Sequence, residues 1–427
     1  MLSIYGTIIH SKNAQELEIL ENTLLTVREG KVLSIEQKSL HEISKDTIVL
    51  KKGSFLIPGF VDTHIHAPQF LNNGSGIDLP LLEWLEKYTF PVEASFSDSQ
   101  FAENVYGKVV DRLLKNGTTT SCFYGTIHLE ACKRLFNVMV KKGLRGFVGK
   151  VCMDRNSPEF YVESTKDSIA STIEFIKYCL ESKSTLVAPI VTPRFVPSCT
   201  PTLMRELSNI SKSFNIPIQS HLCENLSENE WVKELHPNAS SYAGVYNEFG
   251  LLGEKTVMAH CIHMSDEEVD LLKDTKTGIS HCANSNFNLC SGICKVKKLM
   301  KKGLKVGLGT DCSGGYSPSM LDSIKSAIIA SKVLKFNGQE ESFLSLPEAF
   351  YLATRGGAAV LGLPVGSFDI NSMFDAVVVD LNASDSPIDF FSSCNPYEML
   401  EKFVMCGDDR NISSVFVNGL QVYNKNE

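Results

Sequence analysis

The chain lacks the features that would assign it to a membrane, a nucleic acid or an oxidising compartment. No apolar stretch approaches the roughly 18–20 residues needed to span a bilayer, so no spanning helix is expected. The opening Met1-Leu2-Ser3-Ile4-Tyr5-Gly6 has neither a basic n-region nor a long apolar h-region, so no secretory signal is expected. Positive charge is in deficit: 41 Lys and Arg against 49 Asp and Glu, net −8, with pI ≈ 5.8. Without a basic stripe, DNA or RNA is not an expected partner. The one dense lysine run, Lys297-Lys298-Leu299-Met300-Lys301-Lys302, reads as the solvated face of a helix. The 13 cysteines form no C-x-x-C pair, which excludes a Cys-rich zinc finger and argues against a disulfide framework. They read as reduced thiols, mostly small core residues, in a cytosolic protein. Low-complexity segments and short internal repeats are also missing. Gly307-x-Gly309 lacks the third glycine and helix start of a dinucleotide fingerprint, so a tight bend beside Asp311 is its expected use.

What is present fits a large soluble globular enzyme, with 43% apolar and 21% charged residues in 427. Residues 1–56 read as short strands, with β-branched residues over 2–9 and a turn at Glu29-Gly30 before 31–35. The far end looks alike over 375–381 and 414–423. Neither flank makes a large core alone, so 1–56 and 367–427 are expected to pair as one small β-sandwich domain. Between them, over 57–366, strand-like runs alternate with amphipathic helical segments such as 102–116 and 168–180. The strand candidates are 60–66, 118–123, 146–153, 186–192, 217–221, 256–260, 278–281 and 306–310. Eight β/α units over about 300 residues point to an α/β fold of the (β/α)8 TIM-like barrel kind.

The first run carries the most informative motif, Pro58-Gly59-Phe60-Val61-Asp62-Thr63-His64-Ile65-His66-Ala67-Pro68-Gln69. Side chains at i and i+2 of a strand share a face, so His64 and His66 can share one metal ion. By itself a His-x-His pair is no more than even evidence, because imidazole also serves core and surface roles. Barrel strands carry their chemistry at their C-terminal ends. There the later runs supply Arg194-Phe195, His221-Leu222-Cys223-Glu224, His260, His281 and Gly309-Thr310-Asp311. His10, His41, His128, His236 and His263 read as structural or surface residues. Three imidazoles and a carboxylate suit Zn²⁺, with Fe²⁺ or Co²⁺ as substitutes. Such an ion acidifies a bound water toward a pKa of ~7 for attack on an sp² carbon. Glu224, three residues after His221, is placed to move protons without binding metal. The alternative is a surface carboxylate in an acidic loop with Glu228 and Glu230.

Together these motifs resemble the amidohydrolase superfamily. Its generic part, the strand-end residues above with His281-Cys282-Ala283-Asn284-Ser285-Asn286, also admits other purine, pterin or triazine deaminases. A more specific part includes Ile77-Asp78-Leu79-Pro80-Leu81-Leu82-Glu83-Trp84-Leu85, Val148-Gly149-Lys150-Val151-Cys152-Met153-Asp154 and Gly407-Asp408-Asp409-Arg410-Asn411-Ile412. It runs in order over nearly the whole chain and is similar to eukaryotic-type guanine deaminases, among the ATZ/TRZ-like metal-dependent hydrolases.

The resemblance implies one Zn²⁺ per subunit on His64, His66, His221 and Asp311. It implies that Glu224, Asp311 and His260 are catalytic, with Glu224 as proton shuttle and His260 steadying the metal-bound hydroxide or completing the metal shell. Purine contacts would come from His66, Ala67, Pro68, Gln69, Arg194, Phe195, His221 and Glu224. The implied reaction is guanine plus water to xanthine plus ammonia, by metal-hydroxide attack on C2, with Asp311 and Glu224 passing protons to N3 and then to the departing amine. A cytosolic homodimer acting on the free base is implied as well. Pro68 and Ala283 depart from the usual pattern, but neither removes a ligand. Cyclic-amide hydrolases of the superfamily commonly bridge two metals with a modified Lys on the fourth strand. The run 186–195 holds Arg194 and no Lys, which argues for one metal. A scaffold that has lost the chemistry is a poorer reading, because every expected ligand is present.

Overall fold

Both ends of the chain lie on one hydrogen-bonded path in the computed structural model, which describes residues 1–391 and 393–425. Leu2–Ser11, Leu17–Arg28 and Lys31–Gln37 form an antiparallel meander. Its second turn, Glu29-Gly30, has positive φ at both residues (53° and 74°), the geometry that matches strand twist in a two-residue hairpin. Ser54–Pro58 pairs parallel to Leu2–Ser11 on one side and antiparallel to Ala376–Asp380 on the other. Ile412–Val417 and Leu420–Asn424 complete that side, and Ile48–Val49 pairs off the path, giving one eight-stranded sheet. Ser54–Pro58 is buried throughout because both its faces are covered. Leu56 packs with Ile4, Ile8, Phe374 and Phe416. Phe55 and Ile57 face the main core, where Phe55 meets Phe403 edge-on at 6.2 Å.

The intervening chain forms two four-stranded parallel sheets. One runs Val187–Pro189, Arg145–Gly149, Thr118–Tyr124, Phe60–His66; the other runs Ile218–Leu222, Thr256–His260, Gly278–His281, Val306–Leu308. At one seam Val191 bridges Ile218. At the other, Asp311 N–H donates to His64 O (2.8 Å), His66 N–H to Cys312 O (3.1 Å) and Thr63 Oγ1 to Leu308 O (2.9 Å). The expected third and fourth strands are each broken in two, with Val151–Cys152 and Thr192–Pro193 pairing separately. The fourth breaks because it changes neighbour: Ile190 N–H bonds Val148 O, while Val191 N–H bonds Pro217 O. The third breaks at Lys150, whose buried ammonium is drawn to Glu163 (2.7 Å).

Helices follow the strands. Ser99–Lys115 starts at Asp98, whose side chain accepts from Gln100 N and Phe101 N, and Thr165–Glu181 starts at Ser164. The lysine run lies on Val296–Lys301, but Lys297 is mostly buried against Glu348, while Lys298 and Lys302 pair with Asp266 and Asp270. All 13 cysteines are free, and most are buried. Among the described residues, no helix is long and apolar enough to cross a membrane.

Candidate active site

His64 and His66 end the first parallel strand on one face, with ring centroids 5.0 Å apart. His221, near the end of Ile218–Leu222, brings its Nε2 to 3.2 Å from His66 Nε2. Burial first, then the neighbouring His64, pushes both His66 and His221 well below the ordinary imidazole pKa. Both rings are therefore neutral. His221 Nδ1–H donates to Arg194 O at 2.6 Å, so its Nε2 presents a lone pair. His64 Nε2 is buried without a hydrogen-bond partner. Asp311 Oδ1 lies 3.1 Å from His64 Nε2 and 3.6 Å from His66 Nε2. Burial opposes the Asp311 charge, but His64, His260 and His66 outweigh it and hold the carboxyl far below its usual range.

The His66 and His221 rings, the His64 ring and an ionised carboxylate thus converge, and the nitrogens of His64, His66 and His221 fall within 4.8 Å of one another. Lone pairs gathered this way repel unless a cation lies between them, and nitrogen with oxygen is a donor set for a divalent transition metal. Cys282 lies close to His64 and His260, but burial pushes its thiol pKa well up, which makes it a poor competitor.

The remaining mouth groups face the same point. His260 Nε2 lies 3.4 Å from Glu224 Oε2 and 3.6 Å from Asp311 Oδ2, and its Nδ1–H donates to Asn286 Oδ1 at 2.9 Å. Glu224 is 4% exposed. Burial, then Glu228 and Asp311, raises its pKa well above a free carboxyl, the direction that suits a carboxyl to take up and return a proton. The exposed-loop alternative therefore fails for Glu224 and for the fully buried Glu228, while Glu230 is exposed. Cys223, His260 and Asp311 have positive φ (50°, 70° and 45°), a left-handed conformation that side chains adopt at a cost of about 1–3 kcal/mol each, often beside functional groups. The glycines before Asp311 are not a left-handed bend. A Cβ on Gly309 would lie 2.6 Å from Ser280 Oγ and 2.8 Å from His64 Cβ, so close packing accounts for that position.

A cavity opens over these groups. Its walls include Gln69, Arg194 and Phe195, all foreseen, and Leu81, Trp84 and Leu289, which were not assigned a role. Ala67 and Pro68 are buried in the turn Ala67–Asn72 that carries Gln69 and are not among the lining residues. Two further buried carboxylates had no assigned role. Asp62 accepts from His64 N (3.2 Å), Thr310 N (3.0 Å) and Thr310 Oγ1 (2.6 Å), and burial raises its pKa to about 6. Its signal was available, since by strand period Asp62 shares the face of His64 and His66. Glu93 binds Gln69 and Arg194. His281 is buried and neutral, its pKa pushed down to about 4 by burial and His260.

Residues 55–422 match the amidohydrolase family. The chain is 48% identical to a guanine deaminase of Dictyostelium discoideum, over 98% of this chain and 97% of that one. It is 46% identical to a guanine deaminase of Homo sapiens, over 98% and 95%. A guanine deaminase structure from C. acetobutylicum, with guanine bound in its active site, superposes with a TM-score of 0.94 at 39% identity, covering 99% of this chain and all of that one. With the family matched from the last strand of the N-terminal flank to the final hairpin, this chain belongs to the amidohydrolase family.

Proposed function

We propose that the protein hydrolytically deaminates guanine to xanthine and ammonia, using one Zn²⁺ per subunit on His64, His66, His221 and Asp311. The observation that carries this is the buried meeting of four ligand-type side chains with the buried Glu224, its pKa raised, under a cavity walled by Gln69, Arg194 and Phe195. When bound, the metal supplies the positive charge that makes water nucleophilic near neutral pH. The side chains do the rest. Phe195 covers a face of the purine. Gln69 and Arg194 hydrogen-bond its polar edges, with Ala67 and Pro68 shaping the turn beneath Gln69 and His66 and His221 forming the floor. Glu224 accepts the proton of the attacking water, delivers one to N3 and then one to the amine, as the C2–O bond forms and the C2–N bond breaks. His260 and Asp311 orient the water by hydrogen bonding, and Asp311 is the second proton acceptor.

The two parallel sheets are read as halves of a closed (β/α)8 barrel over 57–366, with 1–56 and 367–427 as a small β-sandwich domain. The two seams support the barrel, and the pairing of both chain ends in one sheet supports their forming a unit. The working state is read as a cytosolic homodimer; the acidic charge balance and the free thiols fit the compartment.

Ammonia release from guanine, adenine, cytosine, 8-oxoguanine and pterins, with metal analysis on the same sample, tests the activity. Release from guanine with about one zinc per chain is expected. A metal-loaded protein that releases none from guanine refutes the assignment.

A further inference from the structure

One fully buried carboxylate beside the cavity has no part in the proposed reaction. Glu93, on the short helix Phe90–Ala94, is 0% exposed. Its Oε1 accepts from Gln69 Nε2 (2.9 Å) and Arg194 Nη2 (3.1 Å). Its Oε2 accepts from Arg194 Nη1 (2.7 Å) and Tyr161 OH (2.8 Å). The Arg194 guanidinium also lies over the Phe90 ring at 5.2 Å.

We infer that Glu93 is a specificity-determining positioning residue, which makes the pocket accept a neutral purine lactam and reject the corresponding anion. The inference rests on reading the cavity as a purine site. Two features of the geometry carry it. One Nε2–H of Gln69 is committed to Glu93, which fixes the flip of the amide and leaves Oε1 as its acceptor for a ligand, one that requires an N–H. A neutral lactam offers one, and its deprotonated form does not. An unpaired buried arginine, moreover, would be an anion receptor. Paired in two parallel bonds with Glu93, Arg194 keeps other N–H groups to donate but carries no net charge to the cavity. No other side chain nearby restores a positive field; the bound metal's own charge is present in every arm of the test, and tight binding of the anion to the native protein on its account would overturn the inference. Tyr161 and Tyr106 are held protonated by burial, and burial lowers His128 toward the neutral form. Lys150 is paired with Glu163.

The test uses the full-length, metal-loaded protein and calorimetric binding of hypoxanthine (neutral), xanthine (an acid that ionises near neutrality) and urate (anionic). In the native protein, xanthine affinity relative to hypoxanthine should fall about tenfold per pH unit once xanthine ionises. Glu93→Gln should raise the urate-to-hypoxanthine affinity ratio about tenfold or more, and Glu93→Asp, which keeps the charge, should return it toward native. A structural role alone would weaken all three ligands together. If ionised xanthine binds the native protein as tightly as the neutral form, or if Glu93→Gln leaves the ratio unchanged, the inference is overturned. The native pH series decides the matter if Glu93→Gln does not fold. Absence of binding by every purine is a different result, and it overturns the purine reading beneath this one.

Discussion

Glu224 and Glu228 sit four residues apart, both buried, yet their surroundings give them opposite duties. Glu228 is saturated: its Oε2 accepts from Glu224 N and Asn225 N, and its Oε1 accepts from Tyr242 OH at 2.7 Å. It fixes the loop that presents Glu224. The Glu224 carboxyl instead faces His260 and the Asp311 side of the cavity. Glu224→Gln keeps the shape and removes the exchangeable proton. Turnover should fall by roughly 10²–10⁴-fold while metal content, measured by atomic emission on the same sample, stays at the native level. Activity near native would remove the shuttle role. Glu224 was legible in the sequence because it lies three residues from His221. Glu93 was not, because its partners Gln69, Tyr161 and Arg194 lie 24, 68 and 101 residues away, and no local spacing encodes a meeting across so much chain.

Between elements, ties set the register of the site. Asp62 holds the first parallel strand to the segment after the last by accepting from both Thr310 groups while also taking the His64 N–H. Asp62→Ala strands two buried N–H groups, which costs about 2–6 kcal/mol at the usual penalty for each. Urea denaturation should read that loss, together with weaker metal retention as Asp311 drifts from His64. In the terminal sheet, His10 pairs in register with Glu18, Nε2 to Oε2 at 2.9 Å. Burial lowers the His10 pKa despite Glu18. Below about pH 6.5 the unfolded chain therefore binds a proton that the folded chain resists, so stability drops as pH falls through that range. Thermal melts at about pH 7.5 and 5.5 should show the drop, and His10→Gln should reduce it; equal pH dependence in both proteins would assign the effect elsewhere. Strand positions were legible from strand-like runs, four of them ending in histidine, that alternate with amphipathic helical segments. The breaks at Lys150 and Ile190 were not, because a change of neighbour or a buried ion pair leaves no mark on periodicity.

At the scale of the whole molecule, one buried ion pair joins the parallel sheets to the sheet made by the chain ends. Arg145 opens the strand Arg145–Gly149 and makes two bonds to Asp375, Nε to Oδ2 at 2.7 Å and Nη2 to Oδ1 at 3.1 Å. Asp375 also accepts Asn418 N–H on Oδ1 (2.7 Å), and its backbone oxygen accepts Gly59 N–H (2.9 Å). Gly59 immediately precedes the strand that ends in His64 and His66, so the terminal sheet fixes the root of the ligand-bearing strand. That is a physical reason for 1–56 and 367–427 to travel with the site, and composition alone could say only that the two ends needed each other. Both side chains of the pair are at most 3% exposed, so removing either leaves an uncompensated buried charge. Arg145→Met or Asp375→Asn alone should each cost about 3–5 kcal/mol, whereas the double change should cost clearly less than the sum, because the second removes the charge the first exposed. Denaturant unfolding of the four proteins at equal metal loading measures the coupling. Additive losses would mean that the pair carries no shared energy and that the backbone, through the Gly59 N–H to Asp375 O bond and the continuous chain from Ser54–Pro58, holds the terminal sheet to the strand of the histidines.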